Sequence, residues 1–228
     1  PQADGTLRPG STMAHNDSLV ASLKAGGQAW ALVDEKQPQV LGDAFTVDDF
    51  AAFVSIPPLP PGSGRQAEHS PLADQVAGYL DELVPDGATL EAGVGSISDD
   101  ALSRLTHKKG LGIHTEVLGP GLLSLVESGA ADGAAKPDYT GEAVFTISVQ
   151  GIAERIANDP AYRILGARSC VDPAVIARNP LMRCFNSAVE IDFGGQANAE
   201  VIAGRQYGGV GGQVDFLRAC SMADDALS

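Results

Sequence analysis

Apolar residues along the chain follow two rhythms: one recurs every three or four positions, the other comes in short unbroken blocks. In Pro71 to Leu83 the first rhythm places Leu72, Val76, Leu80 and Leu83 at helical spacing, and Pro71 suits a first turn. A helix is predicted there. Another is expected from about Asp17 to Gly26, capped by Asn16 or Asp17 and stopped by Gly26-Gly27. Further helices are expected from Ser98 or Asp99, either of which can cap, to about His107, and over Leu122 to Ser128. Gly151 to Asn158, ended by Asp159-Pro160, and Pro173 to Asn179 complete the set. The block-like runs predict buried strands at Gln28 to Asp34, Ala88 to Ala92, Leu111 to Thr115, Ala143 to Val149, Tyr162 to Ala167 and Arg183 to Asp192. Strands alternating with helices imply an α/β fold, with open, mostly parallel sheets and helices on both faces. Ligands in such sheets sit at the carboxyl ends of strands.

The rhythm breaks between Ile56 and Ser70, where proline, glycine and serine crowd together and proline forbids a regular helix or central strand. That stretch reads as a linker. A formal charge of −14 argues against nucleic acid as a partner, because phosphate binding needs clustered Lys and Arg. No apolar run approaches the roughly 20 residues of a membrane span, so no membrane partner is expected. Cys170, Cys184 and Cys220 show no C-x-x-C pairing, which favours reduced thiols and a cytoplasmic location. The four histidines lack metal-ligand spacing, and no metal is expected.

Candidate chemistry concentrates in three segments. Gly110 to Thr115 leads a short apolar strand into a lone carboxylate, Glu116. Such a glutamate is ordinarily a solvated loop residue or a helix cap, but an ionised, poorly solvated carboxylate can also act as a nucleophile. His114 points to the opposite face from Thr115 if the strand continues, which suits packing better than general base work. Gly93-Val94-Gly95 follows a strand and opens a helix, where backbone N–H groups favour an oxyanion; a bare G-x-G is nonetheless common in tight turns. Gly208-Gly209-Val210-Gly211-Gly212 resists helix and strand alike and is either a flexible surface loop or a backbone surface for close approach to a ligand.

In this order, and with Gln213-Val214-Asp215-Phe216 after the last glycine, these segments resemble the acetyl-CoA hydrolase/transferase family, which includes 4-hydroxybutyrate CoA-transferases. Leu41-Gly42-Asp43-Ala44-Phe45, Asp86-Gly87-Ala88-Thr89-Leu90 and Phe185-Asn186-Ser187-Ala188-Val189-Glu190-Ile191-Asp192 are similar to further family segments, with Ala44 in place of a serine. Val171-Asp172-Pro173 departs from a more usual Asn-Asp-Pro. The resemblance runs from about Leu32 to Met222 and implies the CoA-transferase type of open α/β fold.

Family members carry two similar domains. Residues 1–55 would then be part of an N-terminal CoA-transferase domain, 56–70 a Pro/Gly-rich linker, and 71–228 a truncated C-terminal domain. For the site, the resemblance implies that Glu116 attacks an acyl-CoA thioester while the amides of Val94 and Gly212 contact the carbonyl oxygen. Gly93, Gly95, Gly209, Gly211, Gln213 and Asn186 would line the substrate or CoA. The implied activity is acyl-CoA:carboxylate CoA transfer through a glutamyl anhydride and a glutamyl-CoA thioester. Coenzyme A enters as the acyl-CoA substrate, a small carboxylate is the second partner, and a homodimer is expected by analogy. Two other readings remain: an acyl-CoA hydrolase using the same glutamate, and a non-catalytic acyl-CoA-binding or assembly subunit. A sugar-phosphate isomerase or deaminase on a related open α/β scaffold is a weaker third, since few basic residues flank the glycines.

Overall fold

The computed structural model of the chain describes residues 5–58 and 71–228. Most of the segment read as a linker, residues 59–70, lies outside the described residues. The first part contains β1 (Thr6–Leu7), α1 (Asn16–Gly26), β2 (Trp30–Val33), β3 (Phe45–Thr46) and β4 (Ala52–Ser55). β1 pairs antiparallel with β3, and β2 runs parallel to β4. The expected helix is present, but its cap differs. His15 is the N-cap residue without a side-chain bond, and Asp17 accepts from its own neighbour, Ser18 N, at 2.6 Å. Gly27 ends it, its N–H returning to Leu23 O. Met13 and Val40 enter the same core as the later helices, Thr12 bridges Ile147, and Gly42 bridges Ile164. Only glycine permits that last approach: φ is +138°, and a Cβ would fall 2.0 Å from Ile164 O.

The second part opens with α2 (Pro71–Leu83), β5 (Thr89–Ala92), α3 (Ser96–Leu102), β6 (Gly112–Ile113), β7 (Val117–Leu118) and α4 (Pro120–Glu127). It continues through β8 (Ala143–Phe145), β9 (Ile147–Ser148), α5 (Ile152–Arg155), β10 (Tyr162–Ile164), α6 (Ala167–Cys170), α7 (Pro173–Ile176) and β11 (Arg183–Phe185). β5 lies between β11 and β6, parallel to both. A parallel bridge from His114 to Val144 carries the ladder on to β8, which pairs parallel with β10. The result is the expected mostly parallel α/β sheet. Pairing of His114 with Val144 and of Val117 with Ile147 keeps one register, so the strand does not stop at Thr115 as its apolar run suggested. Glu116 sits inside that line, its carbonyl accepting from Thr146 N and Ile147 N.

All four residues of β5 are buried, so both faces of the sheet are covered. Leu90 and Ala92 join the core built with Ala73, Ala77 and Leu80 of α2, Leu102 of α3 and Leu122 of α4. Between them, Glu91 faces the other way and is paired in register with Cys184. Cys184 packs with Ile176 of α7 and with Phe216, Ala219 and Cys220 of the last helix, α8 (Gln213–Met222). Two small hairpins precede that helix: β12 (Glu190–Ile191) with β13 (Ala197–Asn198), and β14 (Val201–Ile202) with β15 (Arg205–Gln206). The single strand expected over Arg183 to Asp192 is therefore two. β11 ends at Phe185, whose carbonyl accepts from Gly93 N, and the polar Asn186-Ser187 pair leads the chain out of the sheet. Among the described residues no helix is long and apolar enough to cross a membrane.

Candidate active site

Three neighbouring parallel strands end at one edge of the sheet, and each delivers a residue of interest there. β5 leads into Gly93-Val94-Gly95, the strand containing β6 continues to Glu116, and β11 leads into Asn186. The carboxyl ends of parallel strands are where open α/β sheets place ligands, because the turns there are free to diverge. Glu116 is half-buried. Its Oε2 accepts a hydrogen bond of 2.6 Å from Gly212 N. Gly212 is buried and is the N-cap residue of α8, so the carboxylate meets the positive end of a ten-residue helix. A Cβ on Gly212 would stand 2.7 Å from Glu116 Oε2, and one on Gly211 3.3 Å from it. The chain needs bare backbone here to bring an amide onto the acid.

On the other side of the strand edge, the turn after β5 is pinned by Ser98, whose Oγ donates to Gly93 O at 3.1 Å and to Gly95 O at 3.0 Å. Ser98 is therefore no N-cap for α3. Gly95 holds that position, and the Ser98 hydroxyl is spent on carbonyls of the turn. Nor is Asp99 the N-cap residue of its own helix: its Oδ1 accepts from Gly121 N at 3.0 Å, in the first turn of α4. Burial raises the Asp99 carboxyl above its ordinary range. Val94 is exposed between the two glycines, and Gly93 lies so close to Asn186 that a Cβ would meet its Oδ1 at 3.0 Å.

The structure thus brings Glu116 together with Gly211 and Gly212, and Gly93 together with Asn186. Gly95 touches the Ser98 side of the turn, and Gln213 opens α8 half-buried. Gly209 does not join them in the same way, since an added Cβ there would meet nothing within 4 Å. His114 is buried, as its strand direction implied, with Nε2–H donating to Cys170 O at 2.7 Å. Burial pulls its pKa down to about 4, so the ring is neutral.

One acid escaped the sequence reading. Glu91, in the middle of β5, is 3 % exposed and accepts from Asn186 Nδ2 at 2.9 Å. Burial, and then the nearby charge of Glu116, push its carboxyl up to about 8. The available signal was a lone carboxylate inside a four-residue strand otherwise fit for the core, a position that costs free energy unless the group is neutral or partnered.

Residues 149–228 match the acetyl-CoA hydrolase/transferase C-terminal domain. The succinyl-CoA:acetate/propanoyl-CoA:succinate CoA transferase of Fasciola hepatica is 36 % identical over 92 % of this chain and 44 % of its own length. For the 4-hydroxybutyrate coenzyme A transferase of Clostridium kluyveri the identity is 32 %, over 91 % of this chain and 49 % of the relative. The crystal structure of RipA from Yersinia pestis superimposes with a TM-score of 0.87 at 28 % identity, covering 98 % of this chain and 51 % of RipA. The chain spans about half the length of the curated relatives it matches. By its C-terminal domain match and these relatives, it belongs to the acetyl-CoA hydrolase/transferase family.

Proposed function

We propose that the protein is an acyl-CoA:carboxylate CoA-transferase with Glu116 as its nucleophile. The observation that carries this reading is the 2.6 Å bond from Gly212 N–H to Glu116 Oε2 at the carboxyl edge of the sheet. A carboxylate held by one oxygen leaves its other oxygen for attack. The free oxygen adds to the thioester carbonyl carbon, the C–S bond breaks, and CoA leaves as a thiolate while a mixed anhydride joins the acyl group to Glu116. The thiolate then attacks the Glu116 side-chain carbon and the acyl group departs as a free carboxylate. A glutamyl-CoA thioester remains. A second carboxylate reverses the two steps and carries CoA away, with no net consumption of water.

The bond to Gly212 has a second use in this scheme. Once Glu116 is acylated or thioesterified, Oε2 becomes the carbonyl oxygen, and attack on that carbon puts negative charge on it. Gly212 N–H is already aimed at it, which is the preorganisation that makes such donors effective. The Gly93-Val94-Gly95 turn, held by Ser98, is assigned the corresponding role for the substrate carbonyl, through the amide of Val94. Gly95, Gly209, Gly211 and Gln213 are assigned to the walls around the acyl-CoA.

A hydrolase reading is favoured by relatives such as the acetyl-CoA hydrolase of Candida albicans, 26 % identical over 72 % of this chain. The two differ in which nucleophile reaches the anhydride or thioester. Labelled acetate mixed with acetyl-CoA separates them. Transfer predicts label entering acetyl-CoA without matching release of free thiol, whereas hydrolysis predicts thiol release without label entry. If neither occurs in the intact protein, the chain belongs to a binding or assembly subunit.

A further inference from the structure

Glu91 has no part in the steps above, yet it is the buried acid of the same strand edge. It stands on the central strand, on the face shared with β11 and α8, and its Oε2 receives the amide N–H of Asn186. Asn186 in turn lies beside Gly93, the first residue of the turn assigned to the substrate carbonyl, where an added Cβ would stand 3.0 Å from its Oδ1. The titratable groups facing Glu91 are Glu116 from the adjoining strand and Cys184 from β11, with Cys220 of α8 behind it at an Sγ–Sγ distance of 3.3 Å. All three are acids. An ionised Glu91 would add a second negative charge beside Glu116; the cation of this cluster, Arg183, acts on Cys220 and donates to the carbonyls of Leu83, Met182 and Asp225.

We propose that Glu91 is a positioning residue that works in its neutral form, fixing Asn186 against the Gly93 turn and withholding a second charge from the site where Glu116 meets an anionic substrate. The inference rests on the transferase reading and deepens it. Burial holds the carboxyl protonated up to about pH 8. Above that, the new charge repels the incoming carboxylate, so the KM for the carboxylate rises while kcat changes less. Glu91 neither touches the thioester nor exchanges its proton with it.

Because a glutamine side chain is a permanently neutral copy of the protonated acid, Glu91→Gln is the decisive variant. In carboxylate exchange with acetyl-CoA and labelled acetate, the wild-type KM for acetate climbs by up to about tenfold per pH unit above the titration. Glu91→Gln retains most of the neutral-pH rate and stays level, while Glu91→Ala, which cannot hold Asn186, loses about tenfold in kcat/KM at neutral pH. An alkaline rise that persists unchanged in Glu91→Gln overturns the inference, and so does a Glu91→Gln protein as inactive as Glu116→Gln. Infrared difference spectroscopy on the same proteins needs no turnover. A band from a neutral carboxyl that disappears between about pH 7 and pH 9.5 in the wild type, and is missing throughout in Glu91→Gln, supports the proposal. Its absence from the wild type at pH 7 overturns it, even in a protein whose inactivity has already sunk the transferase reading.

Discussion

Gly212 has no side chain, and the Glu116 carboxylate lies where one would be. Gly212→Ala would place a methyl 2.7 Å from Oε2, so the acid must swing away and lose its 2.6 Å hydrogen bond. The expected cost is about 100- to 1,000-fold in kcat, the usual loss for one donor to a developing oxyanion, with stability changed far less. Gly208→Ala is the control, because a Cβ there meets nothing within 4 Å. Its rate should stay within about twofold of the wild type. Glu116→Gln keeps the shape and the contact with Gly212 N–H but removes the nucleophile. Exchange should then fall by about 1,000-fold or more. A Glu116→Gln protein with wild-type exchange would leave the site without a covalent role.

Helices α3 and α4 meet at Asp99, whose side chain satisfies Gly121 N while its backbone packs on the same glycine. A Cβ on Gly121 would fall 2.5 Å from Asp99 O, so Gly121→Ala must force the helices apart. We expect a loss of about 1 to 3 kcal/mol in urea unfolding. Asp99→Ala, which strands that amide, should cost about 1 to 2 kcal/mol. At this scale the sequence was readable in outline and misleading in detail. Pro71 and the apolar spacing marked α2 over Pro71–Leu83, yet the face it buries is Ala73, Ala77 and Leu80, while Leu72 and Leu83 are 50 % and 43 % exposed. Periodicity weighs residues by size, whereas close packing of α2 on α3 selects small ones. Ser98 and Asp99 looked like caps for the same kind of reason. Both have the right chemistry and position, but each spends it on a tertiary or turn contact that no local pattern encodes.

Across the whole molecule, the parallel sheet assembles residues far apart in sequence: Glu91, Glu116, Asn186 and Gly212 meet only through β5, β11 and α8. The strand–helix alternation was enough to foresee that sheet, and ordered motifs pointed to Glu116 and the glycine loop as candidates, which the fold brings into contact through Gly212. Glu91 left a signal as a carboxylate inside a strand read as buried, but its partner Asn186 lies 95 residues away and no local pattern joins the two. Burial of titratable groups also shapes global stability. His114 titrates near 4 when folded and near its ordinary 6.5 when unfolded, so between those values the unfolded chain binds the extra proton. Stability therefore falls as pH drops from about 6.5 to about 4, by on the order of 3 kcal/mol from this residue. Glu91 acts in the opposite sense from about 4.5 to about 8, where the folded chain keeps the extra proton. Between about 4.5 and 6.5 the two slopes oppose each other in the wild type, so urea midpoints of His114→Gln should rise relative to the wild type's as pH drops from about 6.5 to about 4. The central claim is tested most directly by incubating the intact protein with acetyl-CoA, treating it with borohydride or hydroxylamine, and mapping the modified peptide by mass. The account predicts reduction or hydroxamate formation on Glu116, dependent on acetyl-CoA and lost in Glu116→Gln. An unmodified Glu116 in a protein that still exchanges label, or a modification on Glu91 instead, would contradict it.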